Sequence, residues 1–178
     1  MLLTDKEVSA MWECRVSVDI VRPVEEVFSR LSDLSRHCEF SDGLTRVEQT
    51  TPGAPAVGRR FSAEETVPAR YVSYSEITAL EEPRLIAWKA WVPRVMRTEW
   101  EFRLTPHDGG TNLVQTSRWA AAGPIGLMML SLHRRRNVPK ENRRTLARIK
   151  EVLESEAVAI VPPRKDRATA SVRAEVTR

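Results

Sequence analysis

The stretch PKENRRTLARIKEVLESE, Pro139 to Glu156, decides the fold. Its apolar residues Leu146, Ile149, Val152 and Leu153 recur three and four apart, so they share one face of a helix. A lone amphipathic helix has nowhere of its own to bury that face, so the rest of the chain must supply a floor. Pro139 suits a first-turn position, where its missing N–H has no partner in any case, and the run contains no glycine. Arg143, Arg144, Arg148 and Lys150 fall on the opposite face, in water.

The floor is legible upstream. From Trp12 to Ile20 the residues alternate strictly, with Trp12, Cys14, Val16, Val18 and Ile20 apolar and Glu13, Arg15, Ser17 and Asp19 polar, which predicts a half-buried strand. Arg22-Pro23 ends it, because the residue before a proline is pushed out of the helical region, and Pro23 then opens a helix with Glu25 and Glu26 in its first turn. Val24, Val27, Phe28 and Leu31 are its apolar stripe, and Ser32-Asp33 offers a cap for a second short helix around Leu34 to Phe40. Six more strands are expected at 44–50, 57–67, 71–80, 84–92, 96–105 and 111–119, separated by breaks such as Thr51-Pro52-Gly53-Ala54-Pro55 and Pro106-His107-Asp108-Gly109-Gly110. Met96, Trp100, Phe102 and Leu104 face one way and Arg97, Glu99, Glu101 and Arg103 the other, so one sheet face is wet. No strand alternates with a helix, which excludes a parallel wound sheet. The expected class is α+β, a strongly curved seven-stranded antiparallel sheet under the long helix, with the functional site in the space between them. The segment PIGLMMLSLHRRR (124–136) precedes that helix, either as a short helix of its own or as its extension through a kink at Pro139.

At 178 residues the chain is expected to form one domain over 1–159, burying roughly two thirds of its unfolded surface, with 160–178 as a disordered tail containing two adjacent prolines. A hydrophobic content of 42% with no apolar run of membrane-spanning length, about 18 residues, excludes an integral helical membrane protein. MLLTDKEVSA at the start lacks a secretory pattern, so the cytoplasm is the expected compartment, with Cys14 and Cys38 as free thiols. Charge is uneven: residues 1–133 hold 15 Lys and Arg against 18 Asp and Glu, whereas 134–150 hold eight basic groups against Glu141 alone. The stretch Arg134–Lys150 is therefore either a solvated helix face or a surface for an anionic partner, be it nucleic acid, acidic protein or lipid.

Several local strings resemble the START-like, helix-grip superfamily that includes the polyketide cyclase/dehydrase and lipid-transport proteins. They are Val18-Asp19-Ile20 with Pro23-Val24-Glu25-Glu26-Val27-Phe28, Leu31-Ser32-Asp33 ahead of Phe40, Val57-Gly58 before Phe61, Glu82-Pro83-Arg84-Leu85, Trp100-Glu101-Phe102, Gly109-Gly110-Thr111 and the helix from Leu146 to Glu154. The resemblance covers about residues 12–155 and rests on fold motifs rather than active-site motifs. Arg36-His37-Cys38-Glu39-Phe40 stands where the family commonly has a proline or tryptophan, a departure that bears on the shape of the entrance. The resemblance implies a deep, largely apolar pocket that takes hydrophobic small molecules, some only carried and others cyclised, aromatised or dehydrated, with no cofactor called for.

Such a pocket needs an apolar wall and a few convergent polar groups. Phe61, Trp88, Trp100, Phe102, Trp119 and Leu146 are the expected ligand contacts, although an aromatic residue is as readily core. If Phe61 and Ala63 point inward so does Glu65, where desolvation would raise its pKa and suit it to acid/base work; the alternative is a strand-end or arginine-paired carboxylate. Gln115 and Ser117 share the parity of Leu113 and Trp119 and would orient a carbonyl or enol, or serve as satisfied core polars. Tyr71 and Tyr74 fall on opposite parities, so only one of them faces inward; Tyr74 joins Glu65, Gln115 and Ser117 in the catalytic set. His37, His107 and His133 lack metal-ligand spacing, and no metal is expected. No GxSxG, phosphate loop or GxGxxG occurs. The leading function is therefore a cyclase, aromatase or dehydratase. A lipid or quinone carrier, and an interaction module acting through 134–150, are the alternatives.

Overall fold

A computed structural model describes residues 12–66 and 69–160. Strand β1 (Trp12–Ile20) has the bounds its alternation predicts, and helix α1 (Val24–Ser32) buries Val24, Val27, Phe28 and Leu31 behind an acidic first turn. Asp33 then starts a 3-10 turn, Leu34–Glu39, by accepting from the Ser35 N–H at 3.1 Å. Strands β2 (Leu44–Gln49), β3 (Arg60–Glu65), β4 (Tyr71–Glu81), β5 (Leu85–Val92), β6 (Met96–His107) and β7 (Gly110–Ala121) follow.

All pairings are antiparallel, and the sheet order is β1-β7-β6-β5-β4-β3-β2. Strands β2 to β7 are therefore a simple meander, and β1 closes beside β7 with Trp12 opposite Trp119 and Ile20 opposite Thr111. This is the α+β helix-grip architecture. Strand β3 is shorter than the 57–67 expected, because Gly58 turns the chain at φ 84° and Val57 is left exposed; Val67 lies outside the described residues.

Helix α2 (Pro124–Met129) runs through a wide π-turn, Leu130–Arg134, into α3 (Arg135–Ile160). The long helix thus begins before Pro139, which lies inside it. A proline ring strikes the carbonyl four residues back, here that of Arg135, and the helix is widened in the turn immediately before that residue. The tail expected over 160–178 starts one residue too early, since Ile160 still belongs to α3; residues 161–178 lie outside the described residues.

Leu146, Ile149 and Leu153 are buried against Ile20, Leu31, Ile77, Ile86 and Leu113, so the helix face read from the sequence does meet the sheet and α1. Polar ties fix α3 in place. The Val21 N–H donates to Glu154 Oε1 at 2.8 Å, Arg22 Nε to the Leu153 carbonyl at 2.9 Å, and Lys150 Nζ to the Asp19 carbonyl at 2.5 Å. Nearer its start, Asn142 Nδ2 donates to Ser117 Oγ on β7 at 3.0 Å.

Candidate functional site

Between the sheet and α3 lies a cavity of about 630 Å³, within the range of small-molecule sites. Six successive strands supply its floor, including Val47 of β2, Ala63 and Glu65 of β3, Ser73 of β4, Trp88 of β5, Trp100 and Phe102 of β6, and Gln115 and Trp119 of β7. Asn142, Thr145 and Ile149 of α3 form its roof, and the exposed Asp42, Arg148 and Glu151 mark its mouth. The aromatic wall is continuous. Trp88 stacks on Trp100 with centroids 6.0 Å apart and planes 10° apart, and Trp100 meets Trp119 edge-on at 5.2 Å.

Of the catalytic residues expected from the sequence, Glu65 and Gln115 line this cavity. Glu65 Oε2 accepts from the Tyr71 hydroxyl at 2.5 Å, so its partner is a phenol rather than an arginine. Gln115 is 2% exposed, and its Oε1 has no hydrogen-bond partner among the described residues. Two expectations are corrected. Tyr74 is 42% exposed on the outer sheet face, with its ring 6.1 Å from Trp91, because Tyr71, Ser73 and Ser75 take the inward parity of β4. Ser117 is fully buried and accepts from Asn142, so it anchors the roof to the floor without lining the cavity.

Among the expected contacts, Trp88, Trp100, Phe102 and Trp119 line the cavity. Phe61 and Leu146 do not. Each is 2% exposed and packed into the core cluster that closes the space beyond the cavity, a correction that follows from their position one layer deeper than the cavity wall.

His37 is the group the sequence did not promote. It lines the cavity between Leu34 and Phe40, with its ring 5.3 Å from Trp88 and 6.0 Å from Phe102. Nε2 lies 2.9 Å from the Leu31 carbonyl, and since a carbonyl only accepts, Nε2 carries the hydrogen and Nδ1 the lone pair of the neutral ring. Burial pushes the imidazole below its ordinary pKa, only partly offset by the Leu31 carbonyl and the Asp33 and Glu39 carboxylates. The spacing Leu34, His37, Phe40 held the signal: in a 3-10 turn, residues three apart eclipse one another, so a histidine between two apolar neighbours shares their inward face.

Among the described residues, no three His, Cys, Asp or Glu groups are gathered as a metal ion would need. No described helix is long and apolar enough to cross a membrane.

The profile of the family described as polyketide cyclase / dehydrase and lipid transport matches residues 11–154. The chain belongs to this family. Among solved structures, this member of the polyketide cyclase / dehydrase and lipid transport family is similar to the Zhui aromatase/cyclase from Streptomyces sp. R1128, with TM-score 0.66 and 19% identity over 83% of this chain and 96% of that one. It is also similar to the di-domain ARO/CYC StfQ from the steffimycin biosynthetic pathway, with TM-score 0.68 and 15% identity over 86% of this chain. The match spans 54% of StfQ, about half its length. A protein of Thermus thermophilus matches with TM-score 0.66 and 16% identity, over 82% of this chain and 99% of that one. At these identities the likeness is one of fold. No curated protein sequence matches the chain.

Proposed function

We propose that the chain binds a hydrophobic small molecule in the cavity and acts on it as a cyclase, aromatase or dehydratase. The observation that carries this is the cavity itself, about 630 Å³ with a tryptophan and phenylalanine wall and His37, Glu65–Tyr71, Gln115 and Asn142 at its edge. A flexible chain of ketones confined there is held near one reactive conformer, which removes part of the entropic barrier to ring closure. His37, kept neutral by burial, presents Nδ1 as a base for a carbon-bound proton between two carbonyls. The resulting enolate carbon attacks a carbonyl carbon, and the new alkoxide takes back the proton that His37 removed; Glu65, which lines the cavity and accepts from the Tyr71 hydroxyl, is a second base for the carbon-bound proton lost in a later dehydration. The Gln115 and Asn142 amides orient the carbonyls.

The test uses a short synthetic poly-β-ketone analogue, with binding read from tryptophan quenching and turnover from product analysis. His37→Phe and Glu65→Gln are expected to lower turnover at least about 100-fold, the lower bound of general acid–base contributions, while changing affinity less than about threefold. Wild-type binding without turnover would leave the alternative of a lipid or quinone carrier, a use named in the family's own description. Absence of any binding would refute both.

A further inference from the structure

The helical segment ahead of α3 is built the wrong way round for a water-soluble surface. Eight large hydrophobic side chains are exposed among the described residues, and four of them, Ile125, Leu127, Met128 and Leu132, fall within one short stretch, at 60%, 60%, 56% and 71% exposure. Scattered exposed apolar residues are ordinary, whereas a contiguous patch marks an interaction surface. Ile125, Met128 and Leu132 are spaced three and four apart, so they form one ridge along the helix.

This exposure is not fraying, since the opposite side of the same segment is docked. A Cβ on Gly126 would stand 1.7 Å from the Val95 carbonyl oxygen, so only glycine lets α2 sit this close to the turn between β5 and β6. Leu130 and Val138 are 4% and 0% exposed, in a cluster with Met96 and Trp119. The ridge is thus held outward on a fixed base.

Unpaired cations follow it directly. Arg135, Arg136, Lys140, Arg143 and Arg144 make no ion pair with an acid among the described residues, whereas Arg148 and Lys150 further along pair with Glu151 and Glu154 at 3.1 Å. Arg135 and Arg136 lie three and four residues past Leu132, roughly 5 Å along the axis. Residues three and four apart share a helix face, so both cations flank the ridge and can reach headgroup phosphates when its apolar side chains sink about 5–10 Å into a bilayer interface. A nucleic acid would use the cations but gain nothing from an aliphatic ridge that carries no aromatic ring for bases to stack on.

We propose that α2 and the start of α3 form a docking surface for an anionic lipid membrane, with Ile125, Met128 and Leu132 in the interface and Arg135 and Arg136 on the headgroup phosphates. The helix lies on the membrane rather than spanning it. The same basic run continues to Arg144 and Arg148 at the cavity mouth, so a docked molecule keeps its mouth on an element that touches lipid, where hydrophobic guests dissolve. The docking holds whether or not the guest is transformed.

The test is flotation of the full chain with vesicles of phosphatidylcholine, with and without phosphatidylglycerol, at low and high salt. Binding is expected on the phosphatidylglycerol vesicles alone and should weaken with salt. The Arg135→Ala/Arg136→Ala pair is expected to lower the partition coefficient by roughly 25-fold, about fivefold for each charge near the surface. Leu132→Ser and Met128→Ser are expected to lower it about tenfold each, from lost apolar burial. Because all four side chains are exposed, melting temperatures should stay at the wild-type value. No flotation at low salt would overturn the proposal. So would flotation that both apolar variants leave intact, or duplex RNA binding of equal strength that depends on the arginines but not on Leu132, since the surface would then serve a polyanion.

Discussion

Replacing Asn142 and Ser117, singly and together, separates an anchoring role for this pair from a chemical one. The two are joined by one hydrogen bond of 3.0 Å between roof and floor, yet their surroundings differ. Ser117 is fully buried away from the cavity, so Asn142→Ala strands its hydroxyl with no water to replace the lost partner. A stranded buried group costs about 1–3 kcal/mol, to which the removed side-chain volume adds. Asn142 instead lines the cavity, where its freed amide can meet water, so Ser117→Ala costs only the net bond, about 0.5–1.5 kcal/mol. In a domain of this size each kcal/mol lowers the melting temperature by about 2–4 °C. Asn142→Ala should therefore melt lower than Ser117→Ala, and the double variant should be less destabilised than the sum by about 0.5–3 kcal/mol, because neither group is then left alone. Calorimetry on the four proteins reads this cycle. Additive costs would show that the bond does not fasten the helix. Lost turnover in Ser117→Ala at unchanged melting temperature would show that the serine takes part in chemistry after all.

Other outcomes follow from the same geometry. The folded-state pKa of His37 is lowered, so between about 6.5 and that lower value the unfolded chain binds a proton the native chain does not. Stability is then intact above pH about 6.5 and falls as pH drops through this window, and urea titrations should find the slope gone in His37→Gln; a slope that survives would refute the assignment. Glu76 and Glu154, whose carboxyls are lowered chiefly by the Lys89 hydrogen bond and the Val21 N–H, add their own losses further down, as pH falls below about 4.5. Gly126→Ala puts a methyl against the Val95 carbonyl and should cost about 1–3 kcal/mol by thermal melting, whereas an unchanged melting temperature would show α2 free to shift. Ile149→Ala, at a fully buried position that also faces the cavity, should lose about 2–5 kcal/mol while admitting bulkier guests, as read by calorimetry and by competition binding.

The frame of the molecule was legible because its signals are periodic and local. Nine alternating residues set β1, and the turn chemistry between hydrophobic runs set the meander order. Apolar residues three and four apart on α3 set what the sheet had to cover. The site was harder because it depends on parity and depth, which single residues decide. In Tyr71 to Glu76 the polar and apolar groups do not alternate, so nothing in the string says that Tyr71 points in and Tyr74 out; pairing with β3 and β5 decides it, and β4 later shifts register between Ile77 and Ala79. Phe61 and Leu146 do lie on the side of the sheet and helix that their spacing indicates, but how far a side chain sits from a void is a property of the whole packing. His37 is hidden in the string because a 3-10 turn has a period of three, and a helical period of 3.6 does not bring Leu34, His37 and Phe40 into one line.

The ties on α3 bear on how a guest arrives and leaves. With Glu154, Arg22 and Lys150 fastening one end and Asn142 fastening the other, swinging the whole helix aside would break four long-range links at once. Exchange through the Ser41–Leu44 bend opposite Arg148 and Glu151 disturbs none of them. Residence time should accordingly be governed by that short bend: stiffening it would slow both loading and escape while leaving the equilibrium occupancy almost where it was.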